Sequence, residues 1–565
     1  MKTKFFAMLL VLGVTLGIPA ALTAQATIPA AAEKAAEVAI NEQSLKGPIA
    51  FLSDDLLEGR GPATRGDELT QLYLATTLQY LGFEPGFGKS YVQPFDVVSV
   101  TAEVPKTWQF SKGGQNLTLN YWDQFIAGSG VQDPQSVLNG AEVVFVGYGI
   151  EAPEHQWNDF KGQDMKGKVL LMLNNDPDWD DKLFEGNRRL YYGRWTYKYE
   201  SAAKVGAAGA IIIHTTPSAG YPWQVVQSSW TGPQFELPAE KEPRTQVKAW
   251  VTEDAARQLV KLAGQDLDAL VKSARSRDFK PVSLGVTTSL TMTNKVEKVK
   301  TANVGGLLRG SDPKLRDEVV VYSAHHDHLG IGEPNKAGDK IYNGAVDNAA
   351  GVAQVLGMAR AFTELPEPPK RSVLFLFVAA EEQGLLGSAY YARYPSFAPG
   401  KIAANINYDG GNILGRTLDL TYIGLGKSSL DKVVQGLAQK QGRQMRGDQF
   451  PDRGFFYRSD QFNFAKIGVP AIYLDAGTNF RDRPQGWGKE KAEAWEAEHY
   501  HQPSDELKDD WTYEGMIEDA RLGFYAGVLI ANDPQMPTWN PGDEFEAARK
   551  AAIAEAAKGG NNTGK

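Results

Sequence analysis

The feature that most limits how this chain can fold is an apolar run that ends in metal-type side chains. Val319-Val320-Val321-Tyr322 reads as a buried strand and leads straight into Ser323-Ala324-His325-His326-Asp327-His328-Leu329-Gly330. A buried strand is a costly place to end in imidazoles and a carboxylate unless they are satisfied there. A metal would satisfy them. Neutral imidazole is a common zinc ligand, and a carboxylate two residues on can orient the ring. A solvated histidine-rich loop is the plainer alternative, and this stretch alone leaves both open.

The rest of the chain narrows the choice. At 565 residues it is too long for one core, so two or three domains are expected. There is no cysteine. That removes a disulfide framework, thiolate ligands and a lipid-bearing cysteine, so any metal site must be built from His, Asp and Glu. A formal net charge of −9 argues against general nucleic-acid binding, which relies on a basic surface. Oligomeric state leaves no mark in the sequence.

Lys2 and Lys4 precede an apolar run over residues 5–18, and Ala24-Gln25-Ala26 is an A-x-A-like cleavage site. This pattern predicts a signal peptide over residues 1–26 and export to the bacterial periplasm or beyond the cell. The run is short for a membrane span, with an uncleaved anchor as the alternative, and no later stretch is long enough to be one. No membrane span is therefore expected after cleavage.

Residues 27–139 hold helical patterns, a loop Glu58-Gly59-Arg60-Gly61-Pro62, and short strands near 95–108 and 117–125. From 140 to 281 the texture changes to strands at 142–149, 167–173 and 210–214 with a short helix between. This block reads as a small unit inserted into a larger one, with a spacer or packing role. His155 and His214 fall inside it without a metal-like neighbourhood. Residues 282–535 alternate strand and helix, and 536–565 form a charged tail ending in a glycine-rich segment.

Within 282–535, several segments each deliver a histidine or carboxylate. In open α/β sheets the C-terminal edge of the strands is where ligands bind. Asp347 opens a helix that runs to about residue 362, where a simple cap is the alternative. A strand over 372–379 leads to Glu381-Glu382. Adjacent carboxylates there repel one another unless a cation lies between them, and ordinary surface acid is the alternative. A strand over 402–407 leads to Asp409, and His499-Tyr500-His501 comes late. Gly424-Leu425-Gly426-Lys427-Ser428 is not a phosphate loop, because Thr421 stands where that pattern needs glycine.

In this order the segments resemble the secreted di-zinc exopeptidases. That family includes bacterial aminopeptidases, glutamate carboxypeptidase and the non-enzymatic transferrin receptor. The motifs are His325-His326-Asp327, Asp347-Asn348, Glu381-Glu382, Asp409 and His501, and the resemblance spans about residues 44–531. It implies an α/β fold, with a mixed central sheet flanked by helices and an inserted, mostly β protease-associated domain at 140–281. It implies two zinc ions. Asp347 would bridge them, His325 and Asp409 would complete one, and Glu382 and His501 the other. Glu381 would be the general base, with Asp327 behind His325. Tyr500 is a candidate oxyanion donor. Phe455, Phe456 and Tyr457 are candidate walls for the first side chain of the substrate. His326, His328 and His499 are not carried by the motifs and read as neighbours of the site.

The implied activity is hydrolysis of peptide substrates, with an aminopeptidase preferred. In the acidic-carboxypeptidase branch arginines hold the substrate carboxylate, and Gly468-Val469-Pro470-Ala471-Ile472-Tyr473-Leu474 has none, although Arg453 and Arg458 are near in sequence. A carboxypeptidase or amidohydrolase on the same site, and a non-catalytic receptor-like binding protein, are the alternatives.

Overall fold

The computed structural model describes residues 27–559. The expected signal peptide at 1–26 and the end of the tail lie outside the described residues. Among those described, no helix is long and apolar enough to cross a membrane.

The architecture is mixed α/β. Strand Val319–His325 lies parallel between Ser372–Val378 and Ile402–Asn407, and Ala471–Ala476 continues the parallel set beyond Ile402–Asn407. Val319–His325, Ser372–Val378 and Ile402–Asn407 are buried at every position. Burial on both faces explains why they read as unbroken apolar runs rather than as alternating patterns. Asp419–Ile423 closes one side antiparallel to Ala471–Ala476, and the end of Val282–Leu308 closes the other antiparallel to Ser372–Val378.

Register decides where the chemistry goes. His325 pairs with Val378, and Ser323 pairs with Asn407. Three parallel strands therefore finish at one sheet edge, and the residues just past them, His325, Glu381 and Asp409, are delivered side by side. Helices Gly351–Thr363 and Glu514–Asn532 pack on the sheet through Val352, Val355, Met358, Leu522 and Phe524. The N-terminal helices Ala30–Ala39 and Glu42–Leu52 join the same core through Ala32, Ala36, Leu45 and Ile49. Asn41 and Ser44 cap the second of these reciprocally, each side chain accepting the backbone N–H of the other.

Residues 140–281 pack around two clusters, one of which they share widely with the rest of the chain. Val169–Leu173 and Gly209–His214 are parallel neighbours, followed by Val247–Thr252. Helices Glu253–Leu262 and Leu267–Ala274 cover them, which the sequence reading does not mark. Trp108, Phe110, Leu119 and Phe125 pack into the shared cluster although they precede residue 140. The same cluster takes in Phe456, Phe462, Trp539 and Phe545, so it extends beyond 140–281 on both sides. On the N-terminal side the cause is one long strand, Val282–Leu308. Its first half pairs with Gln135–Phe145 and Thr107–Lys112, and its second half with Val92–Glu103 and Ser372–Val378. Burial alternates along the first half and becomes continuous over residues 301–307, so one strand serves a one-sided and then a two-sided sheet.

The C-terminal segment forms helix Glu546–Gly559 and is docked by Arg549, whose guanidinium donates to Ile402 O at 2.8 Å and Pro537 O at 3.1 Å.

Candidate metal centre

His325 ends its strand almost fully buried. Its Nε2 lies 3.2 Å from Asp347 Oδ1 and 3.2 Å from Asp409 Oδ1, with Glu381 Oε2 at 3.9 Å. Successive side chains at a strand end point to opposite faces. His326 accordingly turns away, and its Nε2 meets Asp67 Oδ1 at 3.1 Å behind the sheet.

Asp347 lies in a wide turn, Ala345–Ala350, that feeds helix Gly351–Thr363. Such π-type turns recur at functional sites. Gly344 precedes it at φ +59, where a Cβ would lie 2.3 Å from Asp347 O and 2.6 Å from the His328 ring, so only glycine fits. Asp505 holds the turn by accepting the backbone N–H groups of Val346 at 2.9 Å and Asp347 at 3.0 Å. Sequence reasoning passes over Asp505; its signal is the carboxylate four residues after His501.

Asp347 presents one carboxylate oxygen to each of two imidazoles. Oδ1 faces His325 Nε2, and Oδ2 faces His501 Nε2 at 3.3 Å. Glu382 is also shared, with Oε2 2.9 Å from His501 Nε2 and Oε1 2.5 Å from His328 Nδ1. The expected His325, Asp347 and Asp409 form one compact donor cluster. His328, Asp347 and Glu382 form a second, and His325, Glu381 and Glu382 a third. His328 is therefore part of the centre rather than a bystander. Its signal is the i+3 spacing from His325 around the turn.

Arg60 is a further residue that the sequence does not reveal. Its buried guanidinium donates to His326 O at 2.9 Å, Asn343 O at 2.6 Å, Gly344 O at 3.0 Å and Leu52 O. It ties the loop after His325 to the turn before Asp347. Burial lowers its pKa to about 10, against the pull of Asp327, Asp505 and Asp347.

The electrostatics are those of a cation site. Burial disfavours a charged His501, yet Glu382 and Asp347 outweigh it and raise the ring to about 10. Burial would raise Glu382, and the His501 and His328 rings bring it down to about 2. Glu381 goes the other way, raised well above its usual range by burial and by Asp409 and Glu382, with His325 opposing. Among the described residues, His501 Nε2 and His328 Nε2 are buried with no hydrogen bond. His501 Nε2 lies close to two carboxylates yet makes a well-formed hydrogen bond with neither. Imidazole and carboxylate donors with no sulfur suit zinc. The residues fit the metal.

A cavity of about 980 Å³ opens over this cluster, between the inserted block and the sheet edge. Tyr191, Arg194, Trp195, Tyr221 and Trp230 of the inserted block line it opposite Phe455 and Tyr457. Residues of the block thus line the cavity as well as packing on the sheet. Its His155 stacks on Phe184 at 4.4 Å and its His214 lies against Trp223 at 5.4 Å, both apart from the metal cluster.

Phe456 does not wall the cavity as expected. Phe455–Tyr457 is one tight turn in which successive side chains diverge by about 120°. Phe456 is sent into the core against Phe545, at 5.9 Å. Tyr500 is well placed. Its ring stacks on His501 at 3.9 Å, and its hydroxyl accepts Arg458 Nη2 at 3.0 Å, which leaves the phenolic proton free to donate. Burial raises that phenol well above its usual range, so it stays protonated.

Comparison with known proteins places this geometry. Residues 303–524 match the model of peptidase family M28, and that span holds every proposed metal ligand. A "probable leucine aminopeptidase 2" of Aspergillus oryzae is 25% identical over 381 residues, covering 66% of this chain and 64% of its own length. A "Probable zinc metalloprotease" of Pyricularia oryzae is 38% identical over 112 residues, which is 20% of this chain and 21% of that one. The chain thus spans less than two thirds of the length of these curated relatives. In fold, an aminopeptidase from Aneurinibacillus sp. strain AM-1 aligns over 88% of this chain and 95% of its own, with a TM-score of 0.51 and 18% identity. The part of the chain that is similar to peptidase family M28 is residues 303–524, less than half of its length.

Proposed function

We propose that this chain is an exported exopeptidase that holds two zinc ions and releases residues from the N-terminus of peptide substrates. The observation that carries the reading is Asp347, whose two carboxylate oxygens face His325 and His501 on opposite sides, as a bridging ligand requires. His325 and Asp409 would complete one zinc site, and Glu382 and His501 the other, with His328 bracing Glu382. Bound there, zinc supplies Lewis acidity toward the scissile carbonyl and toward water.

The chain's own groups do the rest. Glu381 takes the proton of the attacking water and returns it to the leaving amine. The Tyr500 hydroxyl donates to the carbonyl oxygen as it gains charge. Phe455 and Tyr457 offer apolar surface to the first side chain. The inserted block, read as a protease-associated domain, narrows the cleft to chain ends. The charged and apolar N-terminus supports export to the periplasm or outside the cell. A receptor-like binding role is disfavoured, because a scaffold has no use for Glu381 beside a complete donor set.

The aminopeptidase direction draws on the names of the relatives. One observation favours a carboxypeptidase instead. Among the described residues Arg194 Nε and Arg458 Nη1 are buried without hydrogen-bond partners, and both residues line the cavity. The test is elemental analysis of purified protein together with a substrate panel. About two zinc ions per chain, with cleavage of amino-acid arylamides, supports the proposal. Cleavage confined to N-blocked peptides with a free carboxylate would reverse the direction of attack, and active protein without zinc would sink the reading.

A further inference from the structure

The inserted block reaches the metal centre through Ser229. Ser229 is the last residue of helix Trp223–Ser229, and its Oγ lies 2.8 Å from Nδ1 of His501, 272 residues away in sequence. The other ring nitrogen is the one that faces Glu382 and Asp347. An imidazole that gives its lone pair to a metal at one nitrogen carries its proton on the other, and the partner of that proton sets tautomer and ring plane. Ser229 Oγ stands where that proton must go.

The contact is built rather than loose. Trp223 Nε1 and Gln227 Nε2 on the same helix both donate to Trp122 O, at 2.9 and 3.0 Å. A few residues on, the backbone N–H of Phe235 donates to Gln383 Oε1 at 3.2 Å, beside Glu382. His501 itself sits at φ +55, in a loop with little regular structure to hold its ring. Tyr500 covers one face of that ring. Stacking fixes the plane but leaves the ring free to turn within it. The bond at Nδ1 removes that freedom.

From this geometry we infer that Ser229 is a positioning residue for His501, so that the inserted block sets the affinity of the zinc held by Glu382 and His501. The inference rests on the zinc reading above. It makes the block a working part of the centre as well as a wall of the cleft.

The test is zinc affinity of the full chain, read by competition with a chromophoric chelator, for wild type, Ser229→Ala and Ser229→Thr. In Ser229→Ala one zinc should keep wild-type affinity, and the other should bind about 10–100-fold more weakly. Ser229→Thr keeps the hydroxyl and should restore most of the loss. In cobalt-substituted protein, the visible spectrum of the weaker site alone should change. Wild type that binds no zinc would overturn the zinc reading itself. Two equally tight zinc ions in wild type and Ser229→Ala would overturn only the role of Ser229. Ser229→Thr as weak as Ser229→Ala would also overturn it, by showing that the hydroxyl is not what counts.

Discussion

Asp327 accepts the backbone N–H of Glu381 at 3.0 Å, while the same carboxylate oxygen lies 3.7 Å from the ring of His325. Its second oxygen faces the N–H of Glu382 at 3.4 Å. One buried carboxylate therefore holds the backbone of Glu381 and Glu382 beside His325, whose Nδ1 donates to the Asp327 backbone carbonyl at 3.2 Å, and with them the proposed ligands and base. Asp327→Ala should weaken zinc binding about 10–100-fold. Asp327→Asn, which keeps one oxygen acceptor, should cost less. Zinc retained per chain after dialysis against graded chelator checks this, and an unchanged Ala variant would remove Asp327 from the site.

Glu381 and Glu382 are adjacent and chemically alike, but the structure separates them. Glu382 is held by His328 and His501, whereas Glu381 is crowded by carboxylates and lies 3.9 Å from His325. Glu381→Gln should leave zinc bound and lower kcat by at least ~10²–10⁴-fold. Glu382→Gln should lose one zinc and recover in part with added metal. The measurement is zinc per chain and kcat for both variants at low and high zinc. The opposite pattern would exchange their roles.

Tyr500→Phe keeps the stack on His501 and removes only the hydroxyl. A single oxyanion donor is worth about 10²–10³ in kcat, so a loss of that size is expected with KM little changed. A matching rise in KM with unaltered kcat would make Tyr500 a substrate contact instead.

Arg60→Met removes a guanidinium from four backbone carbonyls, of which, among the described residues, Gly344 O alone keeps a second donor, the Ala349 N–H at 3.1 Å. Each stranded acceptor carries a desolvation penalty, and a total loss of about 3–5 kcal/mol is expected. Chemical denaturation of the zinc-free chain measures it. A change below about 1 kcal/mol, the size of a typical surface substitution or less, would show that Arg60 is not a keystone.

His214 gives a pH prediction. Burial lowers its pKa to about 4, and a hydrogen bond from Nε2 to Tyr221 O at 3.1 Å only partly opposes that. The unfolded ring takes a proton near its ordinary value of 6.5, and the folded ring refuses it until about 4. Stability from this group is therefore full above about pH 6.5 and is lost as pH falls toward 4, by about 3 kcal/mol in all. His214→Gln should flatten that part of the stability–pH curve in zinc-free protein. An unchanged slope between pH 6.5 and 4 would show that the ring titrates normally.

Much of the centre was legible in the chain. His325, Glu381, Glu382 and Asp409 follow apolar runs, whereas the full set with Asp347 and His501 came from the resemblance to a known family, and the structure places all six close together. Helix Trp487–Glu498 was not legible, because its largely exposed, charged surface carries no apolar stripe. Phe456 was read to the wrong side, since a tight turn hides side-chain direction from sequence.

What the sequence determined by itself was the kind of donors and the order in which they arrive, because strand burial and strand ends are local properties. What only the tertiary structure decided was which atoms meet. The pairing of His325 with Val378 and of Ser323 with Asn407 sets three strand ends level. Gly344 lets Asp347 turn in beside the His328 ring, and Arg60 closes over the loops from 266 to 284 residues away. Ser229 meets His501 across 272 residues, in a fold where Val282–Leu308 pairs both with Gln135–Phe145 and with Ser372–Val378. Contacts across such separations are fixed by packing and register, and no local pattern encodes them.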